Sequence, residues 1–136
     1  MILPKLTAIS LLLSPLLACA ASGGGWNGYS VGGTLHMGKQ ELVSRPLQPN
    51  LPPHGRIHRI AWQITLLRPQ PAGLKIKLCS QQRCLPLSSL SGRLEVHNTF
   101  LARGPFYFVY YVGTPGRLSN PMTVVKNELS ITYKFE

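Results

Sequence analysis

The chain has 136 residues, with 14 Lys and Arg against 4 acidic residues, no aspartate, and a formal charge of +10. This length supports one domain with a real core and excludes two. The lack of aspartate excludes a Ser-His-Asp triad, and the charge favours acidic proteins, anionic lipid heads or polyanions as partners.

The first twenty residues, MILPKLTAISLLLSPLLACA, carry one basic residue, Lys5, then an uncharged apolar run that closes on Ala18-Cys19-Ala20. A basic start, a short apolar stretch and a small-x-small end are the features of a secretory signal peptide. A membrane span needs about 20 apolar residues, more than this run offers. The expectation is cleavage after Ala20, leaving residues 21–136 as one exported domain. A second reading takes Leu16-Leu17-Ala18-Cys19 as a lipoprotein site with lipid on Cys19, although Leu17 is unusual there. Lys5 departs with the leader, so the formal charge falls from +10 to +9. An exported chain rarely meets nucleic acid, and its Lys and Arg are scattered rather than clustered.

Beyond the leader, Gly23-Gly24-Gly25 is a flexible entry, and WNGYSVGGTLHM (26–37) has strand-like content interrupted by glycines. Residues 38–55 contain Pro46, Pro49, Pro52 and Pro53, which exclude a helix and predict a loop. RIHRIAWQITLL (56–67) predicts a strand with His58, Ile60, Trp62, Ile64 and Leu66 on one face. RPQPAG (68–73) is a turn.

GLKIKLCSQQRC (73–84) follows. Leu74, Ile76 and Leu78 alternate with Lys75 and Lys77, which predicts a strand with one buried and one wet face. Ser80-Gln81-Gln82-Arg83 is turn-like. Leu85 and Leu87 resume the alternation, with Pro86 pointing to an edge or a strand end. Once Cys19 is gone, Cys79 and Cys84 are the remaining thiols, and an even count in an oxidising compartment predicts a disulfide. A hairpin would set the two opposite each other, within reach of such a bond. The spacing is too wide for a catalytic C-x-x-C dithiol.

Residues 89–104 are ambiguous, with Leu94 and Val96 in a possible short strand. PFYFVYYVG (105–113) is the most strand-prone stretch, with Phe106, Phe108, Tyr110 and Val112 opposing Tyr107, Val109 and Tyr111. After the turn at Thr114-Pro115-Gly116, residues 121–125 and 127–135 read as two final strands, the second with Leu129, Ile131, Tyr133 and Phe135 inward. No segment sustains a 3.6-residue period. Seven or so short strands between Pro/Gly turns predict an all-β fold: one antiparallel β-sandwich, immunoglobulin-like, or a small barrel.

No catalytic constellation assembles. No GxSxG is present. Glu41, Glu95 and Glu128 are the carboxylates for a glycosidase pair, but Glu41 and Glu128 sit in turn-like sequence near Lys39, Lys126 and Asn127. His54 and His58 fall about 13 Å apart on a strand, too far to share a metal. The glycine runs lack the following helix of a phosphate loop. No cofactor or metal is expected, and the protein reads as a non-enzyme. Tyr107 and Tyr111 are the candidate partner-binding residues: rings on a wet strand face mark an interface or a carbohydrate site. The same pattern fits a two-sided core strand covered by a loop. Lys75, Lys77 and Arg83 form a candidate basic strip on the hairpin, or an edge whose lysines discourage strand pairing.

The stretch AWQITLLRPQPAGLKIKLCSQQRC (61–84) resembles the flagellar accessory protein FlhE family of enteric bacteria. Its PAGLKIKLCSQQRC is similar to that family's Pro-Ala-Gly strand and C-x4-C hairpin. A Trp and SVGGTL (26–35), the aromatic strand FYFVYYV before GRL (106–118), and VKNELSITY (125–133) resemble the family in the same order. The resemblance implies an exported, periplasmic, non-enzymatic protein whose partners are flagellar rod or export-apparatus proteins. It implies either a chaperone-like role in assembling the rod or a plug against proton leakage through the export apparatus. The residues by themselves also fit an envelope binding module or inhibitor unrelated to flagella.

Overall fold

The computed structural model describes residues 22–97 and 100–135. The leader and its cleavage or lipidation site lie outside these residues. Among the described residues there is no helix, and none long and apolar enough to cross a membrane. The chain forms strands β1 (Gly23–Ser30), β2 (Gly33–Met37), β3 (Glu41–Val43), β4 (Arg56–Leu66), β5 (Leu74–Ser80), β6 (Arg83–Leu87), β7 (Ser91–Glu95), β8 (Tyr107–Val112) and β9 (Arg117–Lys134).

All pairings are antiparallel. One sheet runs β1-β9-β4-β7, with β2 also on β9; the other runs β3-β8-β5-β6. The all-β expectation holds, and its sandwich form rather than its barrel form is realised. β1 and β2 share the long edge of β9, pairing with residues 127–134 and 117–124 respectively. Between the sheets, Ile60, Trp62, Ile64, Leu129 and Ile131 meet Ile76, Leu78, Phe106, Phe108, Tyr110 and Val112 in one buried cluster. Removing such apolar surface from water is the main stabilising term, about 25 cal/mol per Å².

Several strand expectations are corrected: Gly23–Gly25 open β1 rather than a flexible entry, and Phe135, expected inward, lies beyond the end of β9 and is exposed. Residues 121–125 and 127–135 are not two strands but parts of one, β9, which tolerates Pro121 because irregular pairing surrounds it. In β4, a bulge between Ile57 and Arg59 changes the face, so Ile57 is buried and His58 is not among the core residues. The 38–55 loop contains β3 and a bridge from Leu47 to Phe106. The ambiguous 89–104 stretch contains β7, whose exposed run gave little periodic signal.

Candidate interaction face

The hairpin β5-β6 forms as expected. Cys79 stands directly opposite Cys84 and the two are disulfide-bonded, with Cα atoms 4.0 Å apart. The turn is Gln81-Gln82, both with positive φ of 53° and 67°, a two-residue hairpin loop of the type that matches strand twist. Pro86 lies on the edge strand β6, where a missing N–H is tolerated.

Strand alternation sorts the candidate residues. The register aligns Glu41, Tyr111 and Lys75 across β3, β8 and β5, and beside them Val43, Val109 and Lys77. Tyr107 follows, opposite Cys79. These residues share the outer face of the four-stranded sheet. Phe106, Phe108, Tyr110 and Val112 point the other way into the core. Tyr107 and Tyr111 are half-buried rather than fully wet, because neighbouring strands flank β8 on both sides. Between them Val109 is only 7% exposed, while Val43 on the edge is 50% exposed. Lys77 Nζ lies 3.7 Å from Glu41 Oε2. The face is thus an aromatic and aliphatic seam with two lysines beside it.

Arg83 does not join this strip. It pairs with Ser80, which is buried on the inner side, so alternation sets Arg83 on the opposite face at the hairpin end. The structure therefore unites four of the five partner-binding candidates. Glu41 and Val43 belong to the same face but escaped the sequence reading, since three residues of β3 among prolines show too little alternation.

The other acids do not converge. Glu95 lies 3.6 Å from Arg59, and Glu128 lies 3.6 Å from Lys126. Among the described residues, no group of three His, Cys or acidic side chains is placed to hold a metal. Asn127, a polar residue flanked by Lys126 and Glu128, lies within β9 and is fully buried. Tyr110 donates its hydroxyl hydrogen to Asn127 Oδ1, linking the two sheets, while Asn127 Nδ2 reaches Ser30 Oγ at 3.3 Å and Ser30 O at 3.4 Å. Burial pushes the Tyr110 phenol well above its ordinary value.

With this geometry in hand, comparison with known proteins is decisive. A family model described as Flagellar protein FlhE matches residues 32–134. The chain belongs to the FlhE family. Flagellar protein FlhE of Escherichia coli (strain K12) is 38% identical over 128 residues, 94% of this chain and 98% of the relative. Flagellar protein FlhE of Salmonella typhimurium is 36% identical, covering 93% of this chain and 97% of the relative. A crystal structure of FLHE superposes with a TM-score of 0.79 at 34% identity, covering 84% of this chain and 99% of that one. The FlhE match spans β2 to β9, so both sheets and the tyrosine face lie within the family domain.

Proposed function

We propose that this FlhE-family protein is an exported, periplasmic, non-enzymatic accessory of flagellar assembly. In this reading it binds rod or export-apparatus proteins through the outer face of the β3-β8-β5-β6 sheet and keeps assembly on course as a chaperone would. The observation that carries the reading is the seam of Tyr107, Val109 and Tyr111 on one side of a central strand, beside Lys75 and Lys77. Tyrosine joins a large apolar body to a polar tip and is enriched in protein interfaces. The lysines supply complementarity to an acidic partner and speed the encounter. Glu41, Glu95 and Glu128 lie on three different strands, each beside a cation, which supports binding over acid–base chemistry.

The test is photocrosslinking in flagellated cells, with a photoreactive residue at Tyr107, Tyr111 or Lys77 and mass identification of the captured proteins. Capture of rod subunits is the expected result. Capture of export-gate subunits alone would move the function to limiting proton leakage. Capture of envelope enzymes alone would overturn the flagellar reading.

A further inference from the structure

A second feature lies where β4 and β9 part. Their register ends at Leu66 opposite Val124, with Leu67 N donating to Thr123 O at 3.0 Å just beyond. On the other edge of β9, Leu35 pairs with Met122 and Met37 with Arg117. Residues 118–121 therefore stand opposite the single residue His36 and belong to neither register. An extra loop of strand like this re-aims side chains and ends ladder pairing.

Between this bulge and the 68–73 turn lies a cleft of about 540 Å³, lined by Arg68, Pro71, Thr114, Arg117, Ser119 and Asn120 among others. Arg68 Nη1 donates to Asn120 Oδ1 at 3.4 Å, tying the turn loosely to the bulge. No lining residue is acidic. Glu41, Glu95 and Glu128 lie elsewhere, beside Lys77, Arg59 and Lys126. Among the described residues, no carboxylate is within ion-pair distance of Arg68 or Arg117.

We propose that this cleft binds a carboxylate carried on an extended segment of a partner polypeptide. A guanidinium offers a planar fork of donors that matches a carboxylate in two parallel hydrogen bonds. Two such groups in one cleft without an internal counter-ion leave that capacity for an outside anion. A peptide suits the site better than a bare anion for two reasons. The bulged backbone of residues 118–120 has groups outside both ladders, as strand addition requires, and Pro71 and Leu118 add apolar lining beside the arginines. Neither Tyr107 nor Tyr111 lines the cleft, so the crosslinking result and this one can fail separately.

The test is fluorescence anisotropy of the purified protein with two labelled hexapeptides, Glu-Leu-Glu-Val-Glu-Leu and its counterpart with Gln in place of each Glu. The acidic peptide is expected to bind saturably, at least tenfold tighter than the amide peptide, and more weakly as salt is raised. Arg68→Gln and Arg117→Gln should each weaken it about tenfold, while Lys134→Gln, at the far end of β9, should leave it unchanged. Amide resonances of Ser119 and Asn120 should shift on titration. Both arginines are exposed, so the variants should keep the parent's circular dichroism. Equal binding of the two peptides would overturn the proposal, as would a double arginine variant that binds like the parent. Arginine-dependent binding of phosphatidylglycerol vesicles without peptide binding would overturn it too, in favour of a lipid headgroup.

Discussion

Tyr110 and Asn127 form a hydrogen bond between the sheets inside a largely apolar core. Tyr110→Phe keeps the ring but leaves a buried amide oxygen without its donor, which should cost about 1–3 kcal/mol, measurable by chemical denaturation at pH 7. The phenol also sets an alkaline limit. Below about pH 10 it is neutral in both the folded and unfolded states, so stability is unaffected. Above that, the unfolded chain ionises while the buried phenol, its pKa raised by burial, does not. Stability should therefore fall as pH rises past 10, by up to about 1.4 kcal/mol per pH unit, and Tyr110→Phe should flatten that slope. Asn127 was legible only by parity: it shares the inward alternation of Leu129 and Ile131, but a polar residue beside Lys126 and Glu128 reads as surface.

At the level of elements, the β5-β6 hairpin was the most legible part of the fold. Alternating Lys and Leu, a polar turn and paired cysteines all point to one register. The turn nonetheless places two glutamines at positive φ, a conformation that costs residues with a Cβ roughly 1 kcal/mol each. Gln81→Asn with Gln82→Gly supplies the residues such a turn prefers. The double variant should gain about 1 kcal/mol, seen as a higher denaturation midpoint. Cys79→Ser should instead lose roughly 2 kcal/mol, because a short loop constrains the unfolded chain only modestly. Partner capture should survive that change. Loss of capture at full stability would show that the disulfide does more than fix register. β9 was not legible as one strand, because Pro121 and the unpaired run around it interrupt the alternation that marks a strand.

For the whole molecule, the sandwich depends on where the chain passes from one sheet to the other. It does so six times, and two of these crossings, from β2 to β3 and from β8 to β9, lie side by side. Gly38 N donates to Gly116 O at 2.8 Å, and Lys39 N to Val112 O at 2.8 Å. A Cβ on Gly38 would fall 1.6 Å from Thr114 O, a backbone atom that cannot turn aside. Gly38→Ala should cost about 2 kcal/mol or more, read as a lower thermal midpoint. Sequence alone revealed the fold class, because periodicity is a local property. It did not reveal this junction or the division of strands between sheets, since those depend on which distant segments meet. The same limit applied to the interaction face. Tyr107, Tyr111, Lys75 and Lys77 were nameable singly, but Glu41 and Val43 joined them only through the pairing of β3 with β8.

β9 also sets the order in which the two sheets can form. β1, β2 and β4 all hydrogen-bond to it, β7 reaches the sheet only through β4, and Gly23 near the start pairs with Lys134 near the end. As the polypeptide emerges from the ribosome, the four-stranded sheet has its members by Val112, while the five-stranded sheet lacks its central strand until the last residues appear. The five-stranded sheet therefore stays open through most of the chain's synthesis and closes late, when β9 zips three earlier strands together at once.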